Sequence, residues 1–106
     1  MNMFIMNNID WQIVKTSANH PKLFRSDGSL SIGACDDATK TIYLNENLRG
    51  NILKKVLCHE IVHAAMFSYN VNLTIEQEEL VADLIATYGE EIIEVTNKIF
   101  RKIRYK

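Results

Sequence analysis

Two histidines four residues apart enclose a glutamate in the stretch His59-Glu60-Ile61-Val62-His63. On a helix, residues four apart stand one above the other, so both imidazoles leave the same face. Two convergent imidazoles suit a borderline-soft divalent cation such as zinc, which takes nitrogen at about 2.0–2.1 Å. Glu60, beside the first of them, stands where a carboxylate can take a proton from a water that such a metal activates. The chemistry on offer is hydrolysis. Two ligands leave it incomplete, because catalytic zinc usually takes three from the protein and keeps one position open.

The neighbouring residues must therefore form a helix here and bring a third ligand to it. Gly50 to Tyr69 reads as one long helix, with Ile52, Leu53, Val56, Leu57, Ile61, Val62, Ala65 and Met66 covering most of its circumference, as in a core helix. Histidine and glutamate buried among them need partners. A second helix opens at Thr74, whose spacing to Gln77 is that of a capping box. Val81, Ile85, Tyr88, Ile92, Val95, Ile99 and Ile103 then follow at three- and four-residue steps, and Gly89 marks a kink or a close helix contact. Near the start of this helix, Glu76, Glu78, Glu79 and Asp83 are the candidates for the third ligand. Glu79 is preferred, since Ala82 and Ala86, three and seven residues on, let the two helices approach closely. Glu78, flanking the apolar stripe, is the alternative. Asp83 shares the face of Glu79 and would accept the free imidazole N–H of a ligand histidine, fixing its tautomer. Glu79 also lies nearly opposite Val81 and Ile85, so this helix would have to bury two faces.

Upstream the period changes to two. Ile9 to Thr16 reads as a strand with Trp11 and Ile13 on one face. Ser29 to Cys35 alternates Leu30, Ile32 and Ala34 against Ser29, Ser31 and Gly33, and Thr41 to Asn45 sets Ile42 and Leu44 on one face. Asp27-Gly28 and Asp36-Asp37-Ala38-Thr39 are turns, and the second and third strands make an antiparallel hairpin. The expected fold is α+β: a small, mostly antiparallel three-stranded sheet packed on the helix of His59 and His63 and on a long C-terminal helix. Residues 1–106 form a single domain. Trp11, Phe24, Phe67 and Phe100 are expected in its core. Tyr43, Tyr69, Tyr88 and His20 are the available donors for an oxyanion, and Cys35 could approach the metal.

Composition is consistent with this. The chain has 106 residues, room for one core, with 47% apolar and 24% charged residues. A net charge of -1 gives no bulk attraction to nucleic acid or to an anionic membrane, so neither is an expected partner. No stretch approaches the roughly 20 apolar residues that span a bilayer. The basic cluster Lys98 to Lys106 reads as a solvated helix end. Met1 to Met6 has neither a basic n-region nor a long apolar core, so no signal peptide is expected. Cys35 and Cys58 are too few for a disulfide framework, and the expected compartment is the reducing cytoplasm.

With these residues in place, the chain resembles a small gluzincin, a zinc metallopeptidase with an HExxH helix and a glutamate ligand on a later helix. The Glu79-x-x-x-Asp83 spacing resembles the thermolysin-type pattern, in which the glutamate binds zinc and the aspartate supports a histidine. Glu79-x-x-Ala82 with Ile85-Ala86 resembles the ImmA/IrrE family of bacterial and phage metallopeptidases. The resemblance spans about Trp11 to Ile92, and its specific part is His59–Ala64 and Glu79–Ala86. It departs at Val62, where the family often has glycine. It implies a zinc ion on His59, His63 and Glu79, with Glu60 as general base. It further implies an intracellular protein substrate, such as a repressor, bound as an added strand along an edge strand, here Thr41 to Asn45. A function of another class would use the same ligands as a structural zinc site in a non-catalytic binding or regulatory module, because metal binding adds free energy to the folding of a small domain.

Overall fold

A computed structural model describes residues 2–104. In chain order they form β1 (Asn2–Met6), β2 (Ile9–Thr16), a short 3-10 turn (Pro21–Leu23), β3 (Gly33–Asp36), β4 (Thr41–Asn45), α1 (Gly50–Ser68) and α2 (Ile75–Ile103). The class is α+β as expected, but the sheet has four strands in the order β1-β2-β4-β3 and is mixed. β1 pairs antiparallel with β2, β2 parallel with β4, and β4 antiparallel with β3.

Three expectations about the sheet need correction. An extra strand, β1, precedes β2, joined to it by Asn7 and Asn8 at φ 50° and 62°. Consecutive left-handed residues make the tight turn that matches strand twist, and asparagine tolerates that conformation. The strand expected over Ser29 to Cys35 shrinks to Gly33–Asp36, because the preceding residues pair elsewhere. Ser31 donates its N–H to Leu23 O at 2.8 Å and Arg25 donates to Ser29 O at 2.7 Å, which folds the segment onto the 3-10 turn. Thr41 to Asn45 is not an edge. β4 lies between β2 and β3, so the edge strands are β1 and β3, and β3 is the one beside α1 and the histidines.

The two-residue period survives in the packing. Trp11, Ile42 and Leu44 point inward and, with Ala64 of α1, form the main core, each at most 2% exposed. Trp11 stacks between Phe4 and Phe67. Its indole N–H donates to Ser68 Oγ at 2.8 Å, and the Asn7 side chain donates to Ser68 O at 2.9 Å. Ser68 thus ties the end of α1 to the first hairpin. Ser68→Ala would leave the fully buried indole N–H without an acceptor and is expected to cost about 1–3 kcal/mol, measured by urea unfolding. Of the four aromatics expected in the core only Trp11 is there; Phe24, Phe67 and Phe100 are 50%, 39% and 53% exposed.

α1 lies on the sheet and α2 returns along it in the opposite direction, its start secured by the Thr74–Gln77 capping box. The face of α2 against α1 is made of Glu78, Ala82, Ala86 and Gly89, with Ala82 fully buried. Small side chains let the helices approach, and Val62 fills the contact from α1 by packing with Met66, Val81 and Ala82. The expected conflict between two buried faces is resolved by exposure: Val81 packs on the contact, while Ile85 stays 40% and the Glu79 side chain 50% exposed. No helix among the described residues is long and apolar enough to cross a membrane. Of the basic C-terminal cluster, Tyr105 and Lys106 lie outside the described residues.

Candidate metal centre

His59 and His63 leave α1 one turn apart, with their Nε2 atoms 3.1 Å from each other. Glu79 reaches both from α2: one carboxylate oxygen is 3.0 Å from His59 Nε2 and the other is 3.0 Å from His63 Nε2. One ligand atom from each of the three residues lies within 4.8 Å of the others. For a tetrahedral ion with ligands at about 2.0–2.1 Å, ligand atoms stand about 3.3 Å apart, close to these separations.

The other ring nitrogens decide what the cluster can hold. His59 Nδ1 faces Asp83 Oδ1 at 3.0 Å, and His63 Nδ1 faces Glu78 Oε1 at 2.5 Å. A carboxylate accepts only, so each Nδ1 carries the proton and donates it. The Nε2 atoms then present each other with two lone pairs in the neutral rings or two protons in the charged ones. Both arrangements are repulsive at 3.1 Å, and a single proton shared between the rings or a cation beside them relieves this. A cation among the two Nε2 atoms and the Glu79 carboxylate makes the neutral arrangement attractive. The donor set of two imidazoles and a carboxylate, with both outer nitrogens anchored, therefore fits a divalent metal ion.

The structure brings His59, His63, Glu79 and Asp83 together and places Glu78 elsewhere than a third ligand would be. His59, His63 and Glu79 form the cluster, and Asp83 holds His59. Glu78, the alternative third ligand, instead turns to the far side of His63 and does for it what Asp83 does for His59. Its side chain is 19% exposed, against 67% for Asp83. Charged hydrogen bonds of this kind gain strength as water is excluded. Glu78→Gln is accordingly expected to weaken metal binding by about 10–100-fold and Asp83→Asn by less, as read by competition with a chromophoric chelator.

Glu60, between the two histidines, is 7% exposed. Burial pushes its carboxyl pKa above the usual 4.5, opposed by the neighbouring His59 and His63. Among the described residues no side-chain hydrogen bond anchors it, and it packs against Gly33 of β3. A β carbon added at Gly33 would stand 2.8 Å from Val56 Cγ1 and 3.2 Å from Glu60 Oε2. Glycine at 33 is what lets the edge strand lie this close.

The cluster opens into a cleft of about 530 Å³, walled by Gly33, Ala34 and Cys35 of β3 on one side and by Glu78 and Glu79 on the other. Lys22 and Arg25 stand on its rim, and Lys22 is tied to the end of β3 through Asp36 at 2.9 Å. None of Tyr43, Tyr69, Tyr88 and His20 lines it; His20 stacks on Tyr43 and its ring accepts from Lys22 N. Arg25 also borders the adjoining hollow beside Glu60 and Asp83. Sequence reasoning overlooked it, since one arginine in an irregular loop carries no period; the Asp27-Gly28 turn that folds this loop back was the available signal. Cys35 lines the cleft but is not part of the three-residue cluster, and burial pushes its thiol pKa up to about 12, so it stays protonated at neutral pH. Comparisons with protein-family models, with curated proteins and with solved structures return no significant match.

Proposed function

We propose that the protein is a zinc-dependent peptidase that cleaves a protein or peptide chain laid along β3. The observation that carries this reading is the convergence of His59 Nε2, His63 Nε2 and the Glu79 carboxylate at the floor of a cleft, beside a buried carboxylate that none of them uses. His59, His63 and Glu79 would hold the zinc ion. When bound, zinc supplies a Lewis acid that acidifies a water and polarises a carbonyl.

The protein's own groups do the rest. Asp83 and Glu78 keep the histidine rings in the tautomer that aims Nε2 inward. Glu60 accepts the proton of the attacking water and returns it to the leaving amine nitrogen. Burial favours this, because a carboxylate whose pKa is raised is the stronger base. Arg25, which lines both the cleft and the hollow beside Glu60, would stabilise negative charge growing on the carbonyl oxygen. Among the described residues β3 has no strand partner on its outer side, so an extended substrate can add there through main-chain hydrogen bonds.

The reading is tested by incubating the zinc-loaded protein with a diverse peptide library and sequencing the new termini by mass spectrometry. Cleavage that a chelator abolishes and zinc restores supports it; intact peptides at every zinc concentration contradict it. Arg25→Ala is expected to lower kcat by about 10²-fold with a smaller change in KM.

A further inference from the structure

α2 carries more apolar surface than its own chain covers. Its 29 residues make a rod of about 43 Å, against about 28 Å for the 19 residues of α1. Lys54, near the start of α1, meets Glu90 at 3.0 Å, so the residues after Glu90 run on past the first helix. Leu84, Tyr88, Ile92, Val95, Ile99 and Ile103 are each between 47% and 55% exposed. At 100° per residue all six fall in one arc about 100° wide, on the flank of α2 away from Glu79 and Asp83. Part of this arc already forms a shallow groove lined by Leu84, Tyr88, Ile92 and Val95.

The order of the six residues says what fits on them. Their spacings are 4, 4, 3, 4 and 4, the same from either end. A second copy of the helix, laid antiparallel, therefore sets Leu84 against Ile103, Tyr88 against Ile99 and Ile92 against Val95, and repeats the three contacts beyond the two-fold axis. Charge agrees with the same register. Glu90 and Glu91 precede the two-fold point between Ile92 and Val95, Glu94 lies beside it, and Lys98, Arg101 and Lys102 follow it. Glu91 and Lys98 flank one edge of the apolar arc, and the antiparallel pair puts each on the same edge as the other's counterpart, about 3 Å away along the axis. A parallel pair would set Glu91 beside Thr96 and Lys98 beside Ile103, where neither finds an opposite charge. The acidic half also sets this helix apart from the uniformly basic helices that lie on anionic membranes.

We propose that two copies of this chain pair through an antiparallel contact of their α2 helices, each apolar stripe covering the other. The contact lies on the flank of α2 turned away from Glu79 and Asp83 and does not depend on the peptidase reading. Six half-exposed apolar residues in one continuous arc form the kind of patch that marks an interface, and an isologous two-fold contact closes on itself without forming a filament.

Sedimentation velocity of the whole protein at micromolar concentration tests the pairing. A dimer is expected, and Ile92→Glu, at a half-exposed site that leaves the core untouched, is expected to give a monomer with unchanged circular dichroism. Glu91→Lys and Lys98→Glu are each expected to raise the dimer dissociation constant on the order of tenfold at low salt, and the double variant to restore it. A monomeric wild type, or a dimer indifferent to Ile92→Glu, overturns the proposal, and single charge variants that the double variant fails to rescue overturn the antiparallel register. A monomer that co-sediments with phosphatidylserine vesicles assigns the stripe to a membrane surface and overturns it as well.

Discussion

Glu60→Gln is expected to lower peptide hydrolysis by about 10²–10⁴-fold while leaving zinc content unchanged. Glutamine keeps the shape of the side chain, so its packing against Gly33 is retained, but it cannot accept the proton of a water. The folded state is expected to gain from the change. Burial already works against the charged form of Glu60, and the nearby Glu79 carboxylate adds to this, so a neutral amide removes an unfavourable charge. The melting temperature is therefore expected to stay the same or to rise, and atomic absorption to report one zinc per chain in both proteins. This combination separates an enzyme from a structural zinc site. In a site that serves only as a staple, Glu60→Gln has no activity to remove, and the wild type cleaves nothing to begin with.

His63→Ala is expected to act in the opposite sense, on the metal and on the fold together. The substitution removes one nitrogen of the cluster and leaves Glu78, whose side chain is only 19% exposed, without its 2.5 Å partner. Zinc retention is expected to be lost on dialysis against a chelator of moderate strength. For the wild type, a ligand at 100 times its dissociation constant adds about 2.7 kcal/mol to the folded state, and at 1,000 times about 4.1 kcal/mol. The melting temperature of the wild type is thus expected to climb as zinc is added, and that of His63→Ala to need far more zinc for the same climb. Equal zinc-dependent shifts in the two proteins would mean that the ion binds elsewhere.

The cluster of His59, His63 and Glu79 was legible because the helical period fixes geometry. The i, i+4 spacing of His59 and His63 sets their rings together whatever surrounds the helix, and Ala82 and Ala86 announced the close approach that brings Glu79 and Asp83 to them. Glu78 was not readable in the same way. Its role depends on which ring nitrogen of His63 faces α2, and spacing along a chain does not encode the rotation of a ring. The sheet divides similarly. The inward faces of β2 and β4 follow from alternation, but their parallel pairing is set by the path of the irregular segment between Thr16 and Gly33, where backbone hydrogen bonds such as Ser31 to Leu23 replace any period. That path exchanged the edge strand: β3 took the position expected for Thr41 to Asn45. β1 was overlooked because its residues do not alternate clearly, although Asn7-Asn8 is a turn signal. In α2 the apolar period was plain, whereas whether its own chain covers that face depends on the length of α1.

X-ray absorption at the zinc edge tests the convergence of His59, His63 and Glu79 most directly, on wild-type protein loaded with one equivalent of zinc. The expected spectrum contains two imidazole nitrogens and a carboxylate oxygen at about 2.0–2.1 Å, with no sulfur shell near 2.3 Å, and it loses one imidazole in His63→Ala at saturating zinc. A sulfur shell from Cys35 or Cys58, or a protein that takes up no zinc at all, would contradict it.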